Sequence, residues 1–115
     1  MPIQNDGKLL LQNKVDTDVS KVRLVVDCYI QSTLDTTEVS ALQDITFTNI
    51  ASGLSMSGDK TFTITLGSFD YKEVVGVELT NTDGTVKYIE GSFTNGFGFF
   101  SDGQFTLSEL IVSFT

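Results

Sequence analysis

The chain has 115 residues and 12.5 kDa, with fifteen acids against seven bases, a net charge of −8 and a pI near 4.1. That size builds one core without disulfide help, and an acidic chain has neither a basic stripe to grip nucleic acid nor any attraction for an anionic membrane. Lack of His, with Cys28 the single Cys, removes the commonest general base, the commonest metal ligand and any intrachain disulfide.

No apolar run approaches the ~20 residues of a membrane span. The amino-terminal stretch holds one Lys and a Leu9-Leu10-Leu11 run without a small-residue cleavage site, so it does not read as a signal peptide. Asn5 or Asp6 is placed to cap a short helical turn carrying those leucines. Residues 21–31 then alternate: Val22, Leu24, Val26, Cys28 and Ile30 share one face, and Arg23, Asp27 and Tyr29 the other. This is a half-buried strand, and it puts Cys28 inside as a small, inert apolar group. Asp35-Thr36-Thr37-Glu38 has capping-box spacing ahead of Val39, Leu42 and Ile45, which predicts a second short helix.

Alternation resumes at residues 60–66, with Phe62, Ile64 and Leu66 inward and three threonines outward. Val75, Val77 and Leu79 line a further strand. Asn81-Thr82-Asp83-Gly84 turns it into a return strand over 85–93. Asp102-Gly103 predicts another hairpin, between 97–100 and 104–107, and Leu110, Val112 and Phe114 close the chain in a last strand. Fifteen Thr, ten Gly and one Pro suit strands and turns. The expected fold is all-β: one antiparallel, jelly-roll-like β-sandwich over residues 1–115, with at most two short helices.

Chemistry is sparse. No Ser-His-Asp triad is possible, no Gly-rich loop ends in Lys-Ser or Lys-Thr, and scattered carboxylates always offer some pair. Asn81, Asp83, Gly84 and Glu90 sit at calcium-loop spacing, but Leu79 occupies the first ligand position, so a hairpin turn is the better reading. Asp16-Thr17-Asp18 reads as a solvated loop rather than a cation site. No enzyme activity, metal or cofactor is expected. The unusual stretch is Phe93 to Phe100, with four Phe and two Gly, where alternation breaks at Phe99-Phe100. Rings packed on both sides of a sheet are the plainer explanation. The functional one makes Phe97, Phe99 and Phe100 a subunit interface, and a sugar-stacking platform comes third for want of Trp.

The order of segments resembles a family of small β-sandwich virion proteins of tailed bacteriophages. The matching residues are Gly7 to Leu11, the Val22 to Ile30 strand, the Thr/Asp-rich Ser32 to Thr37, and Thr61-Phe62-Thr63. Further along are the Gly76-led strand, the Thr82-Asp83 turn, Tyr88-Ile89-Glu90 and Asp102 to Leu107 before the terminal strand. Tyr88 stands where relatives often carry Trp. The resemblance implies a non-enzymatic structural protein of the virion, assembled in the host cytoplasm, in capsid, neck or tail. Its partners would be other virion subunits and further copies of itself. A receptor- or glycan-binding module displayed on a phage particle is the alternative.

Overall fold

A computed structural model describes residues 5–114, with the main chain only at Asn5. Helix α1 (Asn5–Asp18) precedes β1 (Lys21–Ile30), β2 (Thr33–Val39), β3 (Gln43–Asp44), β4 (Phe47–Ile50) and β5 (Gly53–Met56). Then come β6 (Lys60–Ile64), β7 (Tyr71–Thr80), β8 (Lys87–Phe99), β9 (Gly103–Leu107) and β10 (Ile111–Ser113). All pairing among the described residues is antiparallel. The main sheet has the order β2-β1-β7-β8 with β3 against the start of β1. A three-stranded sheet, β10-β5-β4, and the pair β6-β9 complete an all-β, sandwich-like fold.

The alternation of β1 becomes one dry face: Val22, Leu24, Val26 and Cys28 are all 2% exposed or less. Val74, Val77 and Leu79 of β7 join them, and Phe62, Ile64, Phe105 and Leu107 of the β6-β9 pair close over the same core. Each such side chain contributes about 1.5–3 kcal/mol when taken fully out of water. Cys28 is fully buried, and burial first, then the Glu38 charge, pushes its thiol pKa upward. A protonated, enclosed thiol is unreactive.

Three sequence expectations give way to pairing. The capping-box segment at Asp35 is not helical: it forms β2, an edge strand paired to β1 from Val39 to Thr33. Its Thr-rich, β-branched composition suits a strand, and the ladder to β1 satisfies backbone groups that one helical turn would leave bare. In β7 the inward residue is Val74 rather than Val75, because a register shift between Val74 and Gly76 resets the alternation. Residues 93–96 of β8 loop out opposite Val75, splitting β8 into two paired halves. The expected hairpin across Asp102-Gly103 is likewise absent, since β9 pairs with β6 from Lys60↔Leu107 to Ile64↔Gly103. The β4-β5 hairpin has no counterpart in the sequence reading.

Helix α1 obeys the usual rule only in part: Val15 packs against the core, but its leucines do not. Leu9, Leu10 and Leu11 are 51%, 70% and 38% exposed, whereas Gln12 is 6% exposed. The Gln12 amide donates to the carbonyls of Ile50 (3.2 Å) and Gly53 (2.7 Å), tying the helix to the β4-β5 hairpin. The expected cap at Asn5 lies outside the described side chains.

Candidate functional site

The face of the main sheet turned away from the core carries the other half of the β1 alternation: Lys21, Arg23, Val25, Asp27 and Tyr29. Antiparallel register places their partners beside them on that face. Tyr29 stands opposite Tyr71, Asp27 opposite Glu73, and Arg23 opposite Glu78. On the far side of β7, Glu73 faces Gly98 and Glu78 faces Glu90. The face thus divides into an ion-paired end and an aromatic end.

At the aromatic end lies a cleft of about 540 Å³, walled by Tyr29, Tyr71 and Phe100 and by the carboxylates of Asp70 and Glu73. The rings form a bent row: Tyr29 to Tyr71 is 5.5 Å between centroids at 53°, and Tyr71 to Phe100 is 4.6 Å at 41°. The Tyr71 hydroxyl donates to Glu73 Oε1 at 2.9 Å. Glycines in β8 make room for this packing. A Cβ on Gly98 would stand 2.1 Å from the Tyr71 hydroxyl, and one on Gly96 2.4 Å from Glu73 Oε2. Both side chains therefore lie flat across bare backbone.

The β1-β2 turn also lines the cleft, and in it Gln31 (φ 49°) and Ser32 (φ 64°) both occupy the left-handed region. A two-residue connection between Ile30 and Thr33 imposes that conformation, which costs a side-chain-bearing residue about 1–2 kcal/mol. Asp70 braces the turn, accepting from the Gln31 amide at 2.8 Å while its own amide donates to the Tyr29 carbonyl at 3.0 Å.

The electrostatics of the cleft are negative. Burial, then Asp27 and Glu73, raises the Tyr29 pKa. Burial, then the hydrogen bond and charge of Glu73, raises that of Tyr71. Both phenols stay protonated through neutral pH, and that of Tyr71 is already donated to Glu73. Ion pairs occupy Asp44, Glu78, Glu38, Glu90 and Asp18, but among the described residues none reaches Asp27, Asp70 or Glu73.

The three sequence-derived interface residues separate. Phe97 and Phe99 follow the core-facing register opposite Val74 and Lys72. Phe99 packs against the core, and Phe97, 53% exposed, lies against Phe93 (5.9 Å) and Phe105 (5.1 Å). Phe100, 82% exposed, turns to the other face and joins the tyrosines. The adjacent rings thus point to opposite sides. Of the calcium-spaced residues, Asp83 accepts from the Thr85 amide and hydroxyl, Asn81 accepts from the Val86 amide, and Glu90 pairs with Lys87 at 3.0 Å. Asp16 and Asp18 lie in the last turn of α1, where Asp18 pairs with Lys14 at 2.9 Å. Among the described residues no cluster of three potential metal ligands occurs.

Comparison with protein-family models, curated proteins and solved structures finds no match for the chain. Tyr29 was visible in the sequence as an outward residue. Its pairing with Tyr71 was not, because the register between β1 and β7 is a long-range property.

Proposed function

We propose that this chain is a non-enzymatic structural subunit of a bacteriophage virion, serving as a decoration or adaptor protein in capsid, neck or tail. It acts by binding neighbouring subunits, including copies of itself. The segment order that resembles the phage family supports this reading, and one observation on the molecule carries it: the exposed leucines of helix α1. A helix that buries its glutamine and exposes three adjacent leucines is stable only at some cost in water. Covering each leucine with a neighbour recovers up to about 1.5–3 kcal/mol, and repetition around a symmetric assembly multiplies the gain.

The test is incorporation. Leu10→Ser removes the most exposed leucine, so the isolated protein should keep its urea midpoint and its β-type circular dichroism. In phage carrying this variant, the protein should fall several-fold below its wild-type copy number in purified particles. A wild-type protein missing from particles, or a variant incorporated like the parent, overturns the reading.

A second reading, a receptor- or glycan-binding module displayed on the particle, draws on the row formed by Tyr29, Tyr71 and Phe100. Paired aromatic rings at a polar cleft are the equipment such a module uses. Glycan titration of the intact protein, with Phe100→Ala as control, tests it. Saturable binding that the variant loses supports it, and no binding by any glycan removes the sugar form of it.

A further inference from the structure

We infer that the cleft between Tyr29, Tyr71 and Phe100 is a receptor for an arginine side chain presented by a different protein. The inference uses the cleft alone and stands apart from the exposed leucines of α1, so either can fail without the other.

Three features select the ligand. First, three aromatic rings in a bent row line one cleft, and aromatic surface of that kind attracts a flat cation. Second, Asp70 and Glu73 line the same space with no cationic partner among the described residues. One oxygen of each carboxylate is engaged, by the Gln31 amide and the Tyr71 hydroxyl. The other oxygens, Asp70 Oδ1 and Glu73 Oε2, have no hydrogen-bond donor among the described residues. Third, the cleft is open to solvent, with Phe100 among its lining residues 82% exposed.

A guanidinium satisfies all three conditions. It is planar, it stacks, and its N–H fork offers donors to carboxylates. A quaternary ammonium makes no hydrogen bonds, so the free carboxylate oxygens would gain only its charge. A sugar would bring hydroxyls but leave both negative charges uncompensated. Charge also names the source. The chain has one arginine, Arg23, and that guanidinium is bound to Glu78 at 2.8 Å with its side chain 19% exposed. A second copy has no free arginine to offer, so the partner is another, arginine-bearing protein.

The experiment is a titration of the intact, isotope-labelled protein followed by amide NMR. The probe is N-acetyl-arginine amide. Its neutral isostere N-acetyl-citrulline amide, tetramethylammonium and methyl glucoside run in parallel. Saturating shifts at Gln31, Ser32 and Gly98 are expected with arginine, in the millimolar range of a single side chain. Binding should weaken at least ten-fold in Phe100→Ala and in Glu73→Gln, both at solvent-accessible positions whose variants are expected to stay folded. Gly98→Ala, whose new methyl would displace the Tyr71 ring, should weaken it too. No shift with arginine overturns the inference, and so does equal binding of citrulline. Tighter binding of tetramethylammonium or of the glucoside would mean that the cleft serves a compact cation or a sugar, and also overturns it. Should a variant unfold, the comparison of arginine with citrulline on the parent protein decides alone.

Discussion

The two ends of the outer sheet face use the same residue types in opposite ways. At one end Lys21 pairs with Asp44, and Arg23 and Lys87 converge on Glu78, with Lys87 also reaching Glu90. Acids and bases there neutralise each other across β1, β7 and β8. At the other end, register sets Asp27 directly opposite Glu73 beside Asp70, and aromatic rings stand where bases would be needed. The ion-paired end is organised for folding. The aromatic end tolerates like-charge repulsion and left-handed backbone, as the partner surface proposed there would require.

This contrast has a sign that mutation can read. The largest effect is expected from Arg23→Ala. The Arg23 and Glu78 side chains are only 19% and 12% exposed, so the variant leaves a poorly solvated carboxylate with Lys87 alone. A loss of about 1–3 kcal/mol is expected from urea unfolding. An unchanged midpoint would erase the distinction between the two ends.

Ser32→Gly should act in the opposite direction. It relieves the left-handed cost at φ 64° and returns part of the gain as chain entropy. A net stabilisation of about 0.5–1 kcal/mol is expected by thermal or urea unfolding. Destabilisation would mean that the Ser32 side chain makes a contact worth more than the strain.

A smaller stabilisation is expected from Asp27→Asn. The substitution removes the repulsion from Glu73 yet keeps an oxygen to accept from the Thr37 hydroxyl, now at 2.7 Å. Cross-strand pairs of this kind are worth about 0.2–1 kcal/mol. A clear loss of stability would show that the aromatic end is as structural as the other.

The mildest test is pH. The hydrogen bond and charge of Lys21 lower the Asp44 pKa in the fold, so its contribution is present above the ordinary Asp value and lost as pH falls through the depressed one. Tyr29 and Tyr71 are raised, so theirs is present below the ordinary Tyr value and lost as pH rises through the elevated ones. Urea midpoints measured against pH should therefore show an acid limb that flattens in Asp44→Asn and an alkaline limb that flattens in Tyr71→Phe. Exchange of those two assignments would contradict the division of the face.

How far the sequence reached follows the range of the forces involved. Period-two alternation placed Val22, Leu24, Val26 and Cys28 inside, marked Phe62 and Ile64, and found the Asn81 to Gly84 turn, because pleat and turn chemistry act between near neighbours. The same local reasoning failed at Asp35, where helix-capping spacing lost to a strand partner ten or so residues away in β1. At Val75 a bulge in the ladder with β8, not the residue's own character, decided which side chain turned inward.

The sequence by itself determined an acidic, all-β chain with a buried thiol and with Phe99 and Phe100 on opposite sides. It held no hint that Gln12 would be buried while its leucine neighbours faced water. Only the tertiary structure brought Tyr29 across from Tyr71, laid Tyr71 and Glu73 over Gly98 and Gly96, and set Phe100 beside them. Side-chain alternation is a property of one strand, whereas the cleft depends on the register between three, and register is set by the whole core at once.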